Sequence, residues 1–251
     1  MNHTLNIATS LFASSYRFWQ GTMASQPVEQ PQHTLVLFDQ EGDAGCRLIR
    51  EILTNLNLDV IIVPCPQGGS NIQWLRSQQN GLSLPVFVDN NRSMAVNGTP
   101  EIISYLTKYY GCNTSSPSCL GQIKNKLSSH LATTVRCRAG LKARPAHRAE
   151  KPLILYSFES SPYARLVREK LCELELTYFL INLGKQQIAD MGPANMRWSL
   201  KPYQPLPNTK REAFFKQYGN VQVPFLMDPN TGIAMFESKD IVAYLKQTYE
   251  Q

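Results

Sequence analysis

Ser161 stands immediately before Pro162 in the stretch Ser160-Ser161-Pro162-Tyr163-Ala164-Arg165, where a helical spacing of apolar residues begins. A hydroxyl followed by proline is a helix start: the side chain accepts from a free backbone N–H, and proline fills the first helical position. The same helix mouth carries unpaired N–H groups and partial positive charge, which stabilise an anion or a thiolate. Glu237-Ser238 opens the last predicted helix in a similar way, with an acid beside a hydroxyl. A third short motif, Gln222-Val223-Pro224-Phe225, precedes it. Read as scaffold alone, Ser161 and Ser238 are helix caps and Glu237 is a solvated charge.

The other reactive side chains are six cysteines: Cys46, Cys65, Cys112, Cys119, Cys137 and Cys172. No pair has C-x-x-C spacing and none accompanies a histidine pair, which argues against zinc. The chain is too long for a disulfide-stapled miniature and shows no secretion signal, so reduced, mostly buried thiols in the cytoplasm are expected. Cys46 is a candidate lone reactive thiol, and Cys65, between Pro64 and Pro66, a candidate exposed thiol to which the sequence gives no base.

At 251 residues, 43% hydrophobic and a mean hydropathy of −0.27, the chain can bury a core and has no membrane-spanning apolar run. The net charge of +6 is local. Residues 111–152 hold eight basic side chains against Glu150 alone, a charge of +7. Aromatics are not interleaved with them, which argues against nucleic acid. A basic connector is expected there, with an anionic membrane surface or a protein as its partner. Leu120, Ile123, Leu127, Leu131 and Val135 give it a helical stripe.

An internal repeat organises the rest. Thr34–Leu58 matches Pro152–Leu176 at a constant offset of 118, with ten identities in 25 positions, among them Glu41/Glu159, Arg47/Arg165, Arg50/Arg168 and Glu51/Glu169. A second block matches at an offset of 139, pairing Pro85/Pro224, Asp89/Asp228, Asn91/Asn230, Ile102/Ile241 and Tyr105/Tyr244. The second copy therefore carries 21 additional residues, within 184–220. Each copy reads as strand, amphipathic helix, strand, then two short strands and a closing helix, a parallel βαβ unit with a hairpin. Ile7, Leu11, Phe12, Tyr16 and Trp19 predict a further amphipathic helix, docked on the body or on a membrane surface.

In this order and spacing, Ser160–Arg165, Gln222–Phe225 and Phe236-Glu237-Ser238 resemble the active-site turn, cis-proline loop and Glu-Ser motif of the glutathione S-transferase N-terminal domain, a glutaredoxin-like member of the thioredoxin fold. The whole chain is similar to bacterial proteins that carry this domain in tandem. The resemblance implies an α/β protein with two thioredoxin-like domains, each preceded by a short helical segment: a helical segment 1–33, a degenerate domain 34–111, a basic helical linker 112–151 and a second domain 152–251. It implies glutathione as ligand or co-substrate, and no metal. Ser161 would polarise the glutathione thiol beside Tyr163. Val223 and Pro224 would pair with its backbone, and Glu237 and Ser238 would hold the γ-glutamyl end.

The departures are informative. Where glutaredoxins carry C-P-Y-C, Ser161-Pro162-Tyr163-Ala164 has no thiol, which excludes dithiol exchange there but not activation of a bound thiol. The first copy has Asp43 at the nucleophile position, Cys46 at the second-thiol position and Gly98-Thr99 in place of Glu-Ser, so it reads as structural. The additional residues read as a lid over the glutathione groove. Complete transferases continue into a helical domain that lines the second-substrate pocket; here the chain stops at Gln251, which leaves that wall to the packing of the copies or to a partner. The leading expectation is a cytoplasmic, glutathione-binding, transferase- or glutaredoxin-like protein with a serine-type site in the second copy. The alternative is a non-catalytic tandem scaffold that binds a protein or a membrane surface.

Overall fold

The computed structural model describes residues 3–16, 19–24, 29–78, 83–111, 139–192, 197 and 202–251. Helix α1 (His3–Tyr16) comes first. The first copy follows: β1 (Leu35–Asp39), α2 (Ala44–Asn55), β2 (Val60–Pro64), α3 (Ser70–Gln78), β3 (Val86–Asp89), β4 (Met94–Asn97) and α4 (Thr99–Tyr110). The second copy repeats the order: β5 (Leu153–Ser157), α5 (Pro162–Glu173), β6 (Tyr178–Asn182), α6 (Lys210–Tyr218), β7 (Phe225–Asp228), β8 (Ile233–Phe236) and α7 (Ser238–Tyr249). A single 3-10 turn, Ile188–Asp190, lies before α6. The expected strands and helices stand within a few residues of these bounds. Helix α3 was not anticipated. It is the counterpart of α6, which confines the second copy's additional residues to the segment before α6.

All eight strands form one sheet in the order β4-β3-β1-β2-β6-β5-β7-β8. Within each copy the first two strands are parallel and the hairpin is antiparallel, the thioredoxin-like pattern anticipated from sequence. The copies join through β2 and β6, antiparallel, with Ile61 opposite Phe179. Each β2-type edge would otherwise expose unpaired backbone groups; here each satisfies the other. Leu35, Leu37 and Ile62 of the first copy and Leu153, Leu155 and Tyr178 of the second belong to one continuous apolar core.

Over that join lies a buried charge network. Arg50 donates from Nη1 to Asp39 at 2.6 and 2.7 Å and from Nε to Glu159 at 2.9 Å. Arg168, its repeat mate, donates from Nε to Glu41 at 3.1 Å and lies 3.0 Å from Glu159. Each arginine also donates to the backbone carbonyl of its own copy's glutamate, Arg50 to Glu41 and Arg168 to Glu159. The symmetry breaks once: where Arg50 meets Asp39, Arg168 meets the Ser157 hydroxyl at 3.1 Å. Burial raises the Glu159 carboxyl, but Arg168 and Arg50 outweigh it and hold the group down at about 2. Burial pushes Asp39 up to about 6 against the pull of Arg50. Arg165 is lowered to about 10 by burial and by neighbouring Arg47.

A second repeated device fixes the closing helices. Asp89 accepts from Tyr105 at 2.8 Å, Tyr110 at 2.6 Å and the Asn91 backbone at 2.9 Å. Asp228 accepts from Tyr249 at 2.5 Å, Tyr244 at 2.7 Å and the Asn230 backbone at 2.8 Å. In both, the phenols outweigh burial and hold the carboxyl below its ordinary range.

Two expectations need correction. Helix α1 does dock on the body, but not through Leu11 and Phe12, which are exposed. Among its described side chains Ser10 and Ser14 are the buried ones, because the docking surface offers polar groups: Ser10 donates to the Pro162 carbonyl at 2.9 Å, Ser14 to the Ser160 carbonyl at 2.8 Å, and Arg165 donates to the Ser10 carbonyl at 3.0 Å. Nor is the end of the basic linker a free connector. Gln67 N–H donates to the Leu141 carbonyl, Ala143 N–H to Gln67, and Arg144 bridges Glu173 and Glu250. The linker's apolar stripe and Cys112, Cys119 and Cys137 lie outside the described residues.

Candidate functional site

Ser161 caps α5: its Oγ accepts from Ala164 N–H at 3.3 Å, and Pro162 takes the first helical position. Ser161 is 2% exposed and sits beneath the surface, whereas Tyr163 two residues further on is exposed. Helix α1 lies against this turn, bonded to the carbonyls on either side of Ser161. Thr22 Oγ1 and Ser160 Oγ share a further short hydrogen bond.

The register of the sheet brings the second motif alongside. Tyr156 pairs with Phe225, so the loop before β7 runs back beside the loop after β5. The Val223–Pro224 bond there is cis, as is Leu84–Pro85 in the first copy. Val223 is half-buried and Pro224 buried. The third motif is tied to the second by the Gln222 amide, which donates to the Glu237 carboxylate. Ser238 begins α7 and is buried; Glu237 is exposed. Glu237 has φ 68°, in the left-handed region that favours glycine, and the first copy has Gly98 at φ 96° in the same place. A glutamate there costs about 1–2 kcal/mol relative to glycine.

The first copy's equivalent place is built from different residues. Asp43 caps α2, accepting from Cys46 N–H at 2.8 Å. A Cβ added at Gly45, the counterpart of Tyr163, would stand 2.5 Å from Thr99 Oγ1 and 3.6 Å from Pro85. The turn, the proline loop and the helix start therefore converge here too, with Gly45 against Thr99. Cys46, Cys65 and Cys172 are buried. Burial raises the Cys46 thiol well above its ordinary value and pushes Cys65 to about 12, so the expectation of an exposed thiol at Cys65 is overturned. Its flanking prolines carry it into an apolar cluster with Ile72, Leu75 and Val86.

The segment before α6 is anchored close by. Asp190 is buried, accepts from Tyr203 at 2.7 Å and pairs with Arg211 at 3.3 Å. Arg197 stacks on the Tyr203 ring at 3.7 Å and donates to the Val221 carbonyl, two residues before Val223. Burial and Arg211 lower Lys185 to about 8. The sequence marks Lys185, Arg197 and Arg211 as basic residues of the 184–220 stretch, but not that Asp190 gathers them. A groove of about 690 Å³ lies elsewhere, between residues 143–152 and the start of α3, and includes none of the motif residues. Among the described residues no cluster of His, Cys, Asp and Glu could hold a metal ion. No described helix is long and apolar enough to cross a membrane.

Two fused thioredoxin-like units, each with a turn, a cis-proline loop and a helix start in fixed relation, define the class. The family model for the glutathione S-transferase N-terminal domain matches residues 37–115 and again 155–251, and the chain belongs to that family as a tandem pair. No curated protein and no solved structure matches the chain.

Proposed function

We propose that the second copy binds glutathione at the place where Tyr163, Val223, Pro224, Glu237 and Ser238 stand around the Ser161 turn, and that the first copy binds none. The observation that supports this most strongly is the backbone of Glu237. A glutamate occupies a left-handed position where the first copy uses glycine, and local backbone cost of this kind collects at functional sites. Its carboxylate matches the γ-glutamyl ammonium. The Ser238 hydroxyl and the free N–H groups of α7 match the γ-glutamyl carboxylate. The Val223 backbone offers strand-like pairing to the cysteinyl unit. Ser161 Oγ accepts from Ala164 and keeps its own proton to donate toward the bound sulfur, where the α5 dipole favours thiolate. The site carries no nucleophilic thiol, so the chemistry is activation of glutathione's sulfur, of transferase type.

An NMR titration of the isotope-labelled chain with glutathione tests the assignment. Amide shifts are expected at Tyr163, Val223, Glu237 and Ser238 and none at Asp43, Gly45 or Gly98. Shifts confined to the first copy, or none at millimolar glutathione, would overturn it.

A further inference from the structure

Helix α1 turns described polar side chains toward the body and leaves Leu11 and Phe12 exposed. Among its described side chains the buried ones, Ser10 and Ser14, are polar and donate to backbone carbonyls of the turn at Ser160–Pro162. Ala8, Leu11, Phe12 and Ser15, at the i, i+3, i+4, i+7 spacing of a single helical stripe, face solvent. Phe12 is 60% exposed. The stripe continues past the helix into exposed Trp19 and Met23. Met23 forms a β-bridge with Lys185, three residues from Ile188, which is 75% exposed. Scattered apolar residues on a surface need no explanation, but Leu11, Phe12, Trp19, Met23 and Ile188 are exposed together beside a helix whose buried Ser10 and Ser14 face the body.

We propose that this stripe is a docking surface for an anionic lipid bilayer, on which α1 lies in the plane of the headgroups. Charge selects that occupant. Residues 1–28 contain no acidic side chain, Arg17 lies among them, and the chain carries +6 overall with +7 in residues 111–152. A bilayer accepts Leu, Phe, Trp, Met and Ile at its boundary without needing a complementary shape, while its anionic headgroups attract the basic chain. The polar bonds of Ser10, Ser14 and Arg165 do not involve the stripe, so α1 stays fixed to the body when the stripe is covered.

Co-sedimentation of the full chain with vesicles of equal parts phosphatidylglycerol and phosphatidylcholine tests this. The chain is expected to pellet with these vesicles, to bind pure phosphatidylcholine more weakly and to lose binding as salt rises. The double variant Leu11→Ser, Phe12→Ser should lower the partition coefficient by about tenfold or more. Its melting temperature should be unchanged, because both side chains are exposed. Failure to pellet with anionic vesicles, or equal binding by the double variant, would overturn the proposal. So would a wild-type dimer in sedimentation equilibrium, abolished by the double variant and without vesicle binding, since the stripe's occupant would then be a second copy of the chain.

Discussion

Arg50 of the first copy and Glu159 of the second form a buried ion pair across the join, with Nε 2.9 Å from Oε2. Arg168 reaches the same oxygen from within the second copy at 3.0 Å. Each arginine also meets an acid of its own copy, Arg50 at Asp39 and Arg168 at Glu159, and each reaches across to the other copy's glutamate. Together with the β2–β6 pairing, the contact makes one cooperative body of what the sequence reads as two units.

Glu159→Ala would leave Arg50 and Arg168 facing a buried gap. Removing one partner of a buried pair costs about 3–5 kcal/mol, far more than an exposed pair is worth. Urea unfolding followed by fluorescence should show that loss in one transition shared by both copies. Two separate transitions in the wild type would contradict the shared body.

Acid stability should have two limbs. Asp39, raised to about 6, takes up its proton in the folded state before the unfolded chain does, so it stabilises the fold as pH falls from about 6 toward its ordinary 3.8. Glu159, held at about 2, contributes stability that is complete above its ordinary 4.5 and is lost as pH falls through about 2. Asp89 and Asp228, lowered by their tyrosines, act in the same direction as Glu159. The urea midpoint should hold or rise from neutral pH to about 5 and then drop. Asp39→Asn should remove the rise. A midpoint that falls steadily from neutrality in the wild type would be inconsistent with the Asp39 assignment.

The two cap residues separate fold from function. Ser161 and Asp43 each cap the first helix of their copy, and Ala at either position should cost about 1 kcal/mol. Only Ser161→Ala should also weaken glutathione binding. Equal effects of the two variants on binding would remove Ser161 from the site.

Lid behaviour of the residues before α6 is testable through Arg197, which stacks on Tyr203 and reaches Val221. Arg197→Ala should release the segment and raise the glutathione dissociation constant by about tenfold, the value of one lost charge-assisted contact. Hydrogen exchange at Val221 should rise in parallel. Unaltered affinity would leave the segment a surface excursion.

The elements were legible because each copy repeats a strand run, a helical stripe and a proline-led hairpin, and because two offsets aligned them. The charge network is written in the same alignment: Glu41/Glu159, Arg47/Arg165 and Arg50/Arg168 are charged residues repeated at one offset in a helix and its preceding turn, but only the fold shows that they meet across the join. Periodicity located α1 but not its orientation. A helical stripe shows which residues share a face, and the polar carbonyls of Ser160 and Pro162 decided which face turned inward. Cys65 misled because flanking prolines signal a turn, while burial depends on the apolar neighbours α3 supplies. At the candidate site, Glu237-Ser238 could be found by its place before the last helix, but the left-handed backbone of Glu237 is visible only in three dimensions.

That backbone provides the most direct test. Isothermal titration calorimetry of glutathione into the wild-type chain should give one site per chain, because the first copy has Asp43 and Gly98-Thr99 where the second has Ser161 and Glu237-Ser238. Glu237→Gly should abolish binding, while relief of the backbone leaves the protein no less stable, with a gain of up to about 1 kcal/mol. Two sites in the wild type, or undiminished binding by Glu237→Gly, would contradict the account.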